Sequence, residues 1–217
     1  MTIHHISENN SILNHFLVEL RDKQIQQDRW RFRQNLERIG EILAYEMSKN
    51  LSYKTQQIET VLGKHKKSVI SESVVVCSIL RAGLPLHQGV TRFFDHQDHA
   101  FISAYRTHDS KNDDFKIHIE YLASPDLNNR TLILVDPMLA TGFSVIEVYK
   151  ALASKFDIKK LHVLSAIAAK PGIDHLKEHC PENTELWLAD IDYTLNEKGY
   201  IVPGLGDAGD LAFGDKL

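Results

Sequence analysis

Thr131-Leu132-Ile133-Leu134-Val135-Asp136-Pro137-Met138-Leu139-Ala140-Thr141-Gly142-Phe143-Ser144 is the stretch whose reading decides the fold. Leu132 to Val135 is an uninterrupted apolar run of strand length, the pattern of a strand buried on both faces. It ends at an acid, passes through a loop containing glycine, and gives way to helical spacing from Ser144 to about Phe156. Strand, loop and helix in that order place backbone N–H groups at a helix start. With the Thr141 and Ser144 hydroxyls they suit a phosphate dianion, and Gly142 permits close approach. Asp136, at the strand end, is placed to accept hydrogen bonds from sugar hydroxyls. The same residue types also make an ordinary turn in which Thr141 or Ser144 merely caps the helix, and these residues alone leave both readings open.

Working outward, Ser73 to Leu80, Ala100 to Ala104 and Leu161 to Ala168 are further apolar runs of strand length, and Asp174 to Glu178 reads as helix. The alternation predicts an α/β fold, a mostly parallel sheet flanked by helices, whose ligands bind at the carboxyl ends of the strands. From Ser11 to about Leu62, apolar residues recur at helical spacing with a polar break from Arg21 to Arg29, so two N-terminal helices are expected within 1–62. Thr107 to Asp126 is polar and poorly periodic, and a mobile hairpin or lid is expected there. The whole of 1–217 is read as one domain, with 199–217 as a ligand-binding tail.

Two more strand ends carry chemistry. Arg81-Ala82-Gly83 follows one apolar run and Tyr105-Arg106 another, and a guanidinium recognises phosphate through its bidentate fork. The tail Gly199-Tyr200-Ile201-Val202-Pro203-Gly204-Leu205-Gly206-Asp207-Ala208-Gly209-Asp210 contains Gly-x-Gly-x-x-Gly, but only eight residues follow Gly209. A dinucleotide unit needs about 30, so that reading is rejected. What is left is a compact loop of backbone amides beside Asp207, suited to reading the edge of a flat heterocycle.

The bulk properties set limits. With 217 residues, a net charge of −4 and a pI near 6.3, the chain has no general attraction for nucleic acid. Cys77 and Cys180 imply no disulfide framework. No membrane span or export signal is read, so a cytoplasmic protein is expected. Walker and Gly-x-Ser-x-Gly motifs are absent, and the twelve histidines fall at no metal-ligand spacing. Any metal should arrive with substrate phosphates, as magnesium usually does.

Taken together, these strings resemble the uracil phosphoribosyltransferases, a type I phosphoribosyltransferase family. The likeness rests on Leu20-Arg21-Asp22-Lys23, Phe32-Arg33, Leu43-Ala44-Tyr45-Glu46, Ile58-Glu59-Thr60, Ile79-Leu80-Arg81-Ala82-Gly83-Leu84, Tyr105-Arg106, Asp136 to Gly142, and Gly199 to Asp210. It implies transfer of ribose 5-phosphate from 5-phosphoribosyl 1-diphosphate to uracil, giving UMP and diphosphate in pyrimidine salvage, with Mg2+. Arg81 and Arg106 would hold the diphosphate, and Asp136 the ribose hydroxyls. The loop Met138, Leu139, Ala140, Thr141, Gly142, Phe143 and Ser144 would hold the 5′-phosphate. Tyr200, Ile201, Gly206, Asp207 and Ala208 would line the uracil pocket, with Asp207 also facing the donor. A homodimer or higher homo-oligomer and a GTP effector are further implications. Four departures stand out: Phe143 for a second glycine, Ser78 for proline, Leu211 for arginine and Asp215 for threonine. Phe143 and Leu211 motivate an alternative, a catalytically weak or inactive relative that binds the donor or a nucleotide and regulates a partner.

Overall fold

A computed structural model of the chain describes residues 1–108 and 115–216, apart from the side chains of residues 105–108 and 115–118. The order is β1 (Thr2–His5), α1 (Ile12–Arg21), α2 (Arg29–Ser48), β2 (Tyr53–Thr60), β3 (Gly63–Ile70), β4 (Val74–Leu80), α3 (Leu84–Thr91), β5 (Asp98–His108), β6 (Phe115–Ala123), β7 (Thr131–Val135), β8 (Met138–Leu139), α4 (Phe143–Ala153), β9 (Lys160–Ala169), α5 (Lys170–His179), β10 (Glu185–Asp192), β11 (Thr194–Leu195), β12 (Ile201–Val202) and α6 (Ala208–Phe213). The main sheet runs β1-β10-β9-β7-β4-β5-β6, with β8 beside β9. Its pairs are parallel except β5 with β6.

Strand β7, which the opening stretch predicts, lies inside the sheet between β4 and β9. Its side chains alternate between two cores, as the two-residue period of a strand requires. Ile133 and Val135 join Val74, Val76, Leu164 and Trp187 beneath α1 and α2. Leu132 and Leu134 join Val75, Cys77, Val163 and Leu188 beneath α4 and α5. Because both faces are covered, the run could not alternate with polar residues. The break between the N-terminal helices also has a local cause: Asp28 caps α2 by accepting from the Trp30 and Arg31 N–H groups, and Ser11 caps α1 by accepting from Leu13.

Two expectations change. The N-terminal helices do not reach Leu62, since α2 ends at Ser48 and residues 53–70 form an antiparallel hairpin, β2 with β3. Tyr53, Thr55, Ile58, Val69 and Ile70 are good strand formers, and the hairpin packs on no core that would impose a period. The stretch 107–126 is more regular than its composition indicates, because β5 continues to His108 and β6 pairs with it. The tip, 109–114, lies outside the described residues, and with it the expectation of mobility. Among the described residues no helix is long and apolar enough to cross a membrane.

Two histidines are folded into this frame without charge. His87, 5% exposed, has its pKa pushed down to about 4 by burial and by neighbouring His99. His162 is fully buried, accepts from the Trp187 indole N–H at 3.0 Å, and is also lowered, first by burial and then by Lys160. Unfolded histidine titrates near 6.5, so between that pH and about 4 the unfolded chain binds more protons and stability falls as pH falls. Urea unfolding at pH 7 and pH 5 should show His87 alone contributing a loss of about 1–2 kcal/mol, an increment absent in His87→Asn after correction for its lower baseline.

Candidate active site

The turn after β7 is built without a side-chain cap. Gly142, at φ +81, is the N-cap of α4, Phe143 is the first helical residue, and the first helical bond runs from Ile146 N–H to Gly142 C=O. Neither Thr141 nor Ser144 occupies the cap position, so the ordinary capped turn is not what this segment forms. The N–H groups of a helix's first turn have no partner within the helix, and a small cleft lined by Asp136, Met138, Thr141, Gly142 and Ser144 among others lies at this helix start. Asp136 accepts from the Met138 N–H at 3.3 Å. Leu139 turns its side chain into the core and donates its N–H to Ser165 Oγ at 3.1 Å, which pins the loop to β9.

Two larger cavities meet at this turn. One, of about 600 Å³, reaches the glycine-rich tail and is lined by Met138, Ala140, Tyr200, Gly206, Asp207 and Ala208 among others. The other, of about 340 Å³, reaches Arg81, Asp136 and Ser103. Ala82, Ala104, Ser144, Asp207, Gly209 and Lys216 face both. Ile201 is the exception among the proposed uracil contacts: it does not line this cavity, and the whole residue is 3% exposed and belongs to the core. The Arg106 side chain lies outside the described residues, while its backbone pairs with Ile117.

The tail owes its shape to charge buried behind it. Arg21, in the last turn of α1, donates from Nη1 to Asp192 Oδ2 at 2.8 Å and from Nη2 to Asp192 Oδ1 at 3.1 Å and Asp190 Oδ2 at 2.7 Å. Its Nη1 also donates to the Gly204 carbonyl at 3.0 Å, and the Gly204 N–H donates to Asp192 at 3.1 Å. Burial disfavours the charge on Arg21, and the hydrogen bonds it donates to both carboxylates outweigh it, raising its pKa. Asp190 is held below the usual range, as the Arg21 contact overcomes its own burial. Gly204 itself has φ +57, and a Cβ there would lie 2.1 Å from the Ile201 carbonyl. Beyond it, Asp207 caps α6, with Oδ1 accepting from Gly209 N–H at 2.8 Å and Asp210 N–H at 3.1 Å. Asp207 Oδ2 lies 3.7 Å from Lys216 Nζ.

Arg81 is exposed and currently engaged, donating to Asp210 Oδ1 at 3.2 Å and to the Gly214 carbonyl at 3.3 Å. An exposed pair of this kind is weak enough for a diphosphate to displace. Sequence reasoning missed Lys198 and Lys216, which supply cations to the larger cavity, and Ser165. Lys198 lies in the turn closed by Asn196, whose Oδ1 accepts from Lys198 and Tyr200, and Asn-x-x-Gly was a legible turn signal. The four departures sit in different surroundings. Phe143 takes up ordinary helical backbone that needs no glycine, and Leu211 packs against the core instead of reaching for a charge. Ser78 is buried within β4 and Asp215 is exposed.

A parallel sheet whose central strand delivers a carboxylate and an uncapped phosphate-type loop to one edge is the phosphoribosyltransferase fold. Solved structures share it: the AQ2163 protein of Aquifex aeolicus matches with a TM-score of 0.84 at 28% identity, covering 98% of each chain. A hypoxanthine phosphoribosyltransferase from Staphylococcus aureus matches at 0.50 and 12% identity over 75% of this chain and 76% of that one, a likeness of fold alone. The uracil phosphoribosyltransferase model matches residues 7–215, and a uracil phosphoribosyltransferase of Porphyromonas gingivalis is 49% identical over 217 residues, all of both chains. The chain belongs to the uracil phosphoribosyltransferase family.

Gly142 is where the loop tolerates least. A Cβ there would sit 2.6 Å from Leu176 Cδ1 and 3.0 Å from the Gly172 carbonyl, on top of the cost of the left-handed backbone. Gly142→Ala should lose about 1–3 kcal/mol in chemical denaturation and weaken ribose 5-phosphate binding in calorimetry; an unchanged protein on both counts contradicts this account.

Proposed function

We propose that this chain transfers ribose 5-phosphate from 5-phosphoribosyl 1-diphosphate to uracil, forming UMP and releasing diphosphate. The bond from the anomeric carbon to the diphosphate oxygen breaks, a bond from that carbon to uracil N1 forms, and the N1 proton passes to the released diphosphate or to solvent water. The observation that carries this reading is the pair of cavities sharing Ser144, Asp207 and Gly209, one running to Arg81 and one to the glycine-rich tail. A donor anchored at the turn after β7 would extend its diphosphate toward Arg81 and Arg106 and present its reacting carbon to a base held by Tyr200, Gly206 and Ala208. Asp136 would accept from the ribose hydroxyls.

The anomeric carbon gains positive character as diphosphate departs, so cations fixed where the anion's charge develops lower the barrier. Holding uracil N1 in line with that carbon contributes the rest. Asp136 and Asp207 both face the donor cavity, and their hard oxygens suit a hydrated Mg2+ carried in on the diphosphate, where the ion would neutralise the leaving group. Asp207 is also committed through Oδ1 to capping α6, which leaves Oδ2 for the site.

Asp207→Asn keeps an acceptor for the cap and removes the charge. Stability should therefore change by less than about 0.5 kcal/mol, while UMP formation from donor, Mg2+ and uracil drops by roughly two orders of magnitude. Equal losses of both would contradict the assignment. The same assay with wild-type protein tests the function directly, since absence of UMP from folded protein would sink it, and adding GTP to it reads the effector response that the family implies.

We also place the protein in the cytoplasm as a homo-oligomer. The β2–β3 hairpin supports the second point: it is exposed along its length, Val61 and Leu62 at its tip are 101% and 97% exposed, and an isolated two-stranded hairpin is marginal in water. Covered by a second copy, it would gain the support it lacks. The double change Val61→Asp, Leu62→Asp should shift sedimentation from dimer or larger toward monomer, and an unaltered distribution would remove the hairpin from the interface.

A further inference from the structure

We infer that His175 is a positioning residue for the 5′-phosphate, acting by fixing the orientation of the Thr141–Gly142 peptide. This rests on assigning the turn after β7 to the donor's phosphate. The back of that turn is moulded on α5 at three points. A Cβ on Gly172 would come within 2.3 Å of the Ala140 carbonyl, and one on Gly142 would strike Leu176, so backbone and helix are in close contact on both sides of Thr141. Between those contacts, His175 Nδ1 lies 2.9 Å from the Thr141 carbonyl. A carbonyl only accepts, so Nδ1 must carry a proton and donate.

The consequence follows from peptide geometry. In a trans peptide the C=O and the following N–H point in opposite directions. Drawing the Thr141 carbonyl onto α5 therefore aims the Gly142 N–H away from α5. A peptide adjoining a glycine is the one most free to take another orientation, since Gly142 has no Cβ to resist it. The bond from His175 opposes that freedom. Phe143 and His179 hold the imidazole in turn. The Phe143 and His179 rings each pack against it roughly perpendicular, with ring centroids 4.5 Å away, and His179 Nδ1 lies 3.0 Å from the His175 carbonyl. Phe143, the bulkiest departure in the loop, thus has a partner on the neighbouring helix.

The test is calorimetric binding of ribose 5-phosphate and, separately, of diphosphate, with kinetics for both substrates. His175→Ala and His175→Leu remove the donor, the second while filling the space. His175→Asn keeps an N–H near the Nδ1 position. We expect the first two to weaken ribose 5-phosphate binding and raise the KM for 5-phosphoribosyl 1-diphosphate about tenfold, the worth of one lost hydrogen bond. Diphosphate affinity and the KM for uracil should stay within about twofold, and His175→Asn should recover most of the loss. Unchanged ribose 5-phosphate affinity in His175→Leu, or equal weakening in His175→Leu and His175→Asn, overturns the inference. Ser144→Ala separates the two levels. If it weakens ribose 5-phosphate while His175→Leu does not, only the role of His175 fails; if neither does, the phosphate assignment fails and takes this inference with it.

Discussion

The bidentate pair between Arg21 and Asp192, extended to Asp190 and the Gly204 carbonyl, is the constraint on which the rest of the site depends. The glycine-rich tail brings little of its own to hold it in place, since β11 and β12 are two residues each and α6 has six. Its path over the strand ends is fixed where Gly204 hands one backbone group to Arg21 and the other to Asp192. Three charges taken largely out of water are costly to disrupt, because removing Arg21 takes the shared counter-ion from both carboxylates. The same cluster reaches the N-terminus, where His5 and Ser7 contact Asp190. One guanidinium thus ties α1, the carboxyl end of β10 and the glycine-rich tail into a single unit.

Against that unit, the donor side is held by the sheet. Parallel strands deliver their carboxyl ends to one edge, so Arg81 after β4 and Asp136 after β7 come together although α3, β5 and β6 lie between them in sequence. The turn after β7 is gripped from below by Ser165 of β9 and from behind by α5. Both halves of the site are therefore rigid where backbone groups must point at ligand, and the side chains that must exchange partners, such as Arg81 with Asp210, are the exposed ones. That division suits a reaction in which alignment and charge stabilisation supply most of the rate.

Much of this was legible because burial leaves a signature in sequence. The Leu132 to Val135 run had to be apolar throughout once β7 was covered by helices on both faces, and Asp136 had to follow it at the carboxyl edge. The strings from Asp136 to Gly142 and Gly199 to Asp210 are dense in residues with backbone constraints, so they carry family membership on their own. The β2–β3 hairpin left no such mark, since neither of its faces is buried. β10 was hidden by a four-residue apolar run, Leu186 to Ala189, set between acids, and β1 by its place at the sheet edge.

By itself, the sequence determined the alternating architecture, the strand ends to inspect and the chemistry of the residues there, because hydrophobic period and glycine or proline placement are local properties of the chain. Only the tertiary structure decided which of those residues share a cavity, that Gly142 and neither hydroxyl begins α4, that Ile201 belongs to the core and not to the cavity wall, and that Arg21, His175 and Ser165 shape loops far from them in sequence. These are pairings across long separations, set by how strands and helices dock, and no period in the sequence encodes them.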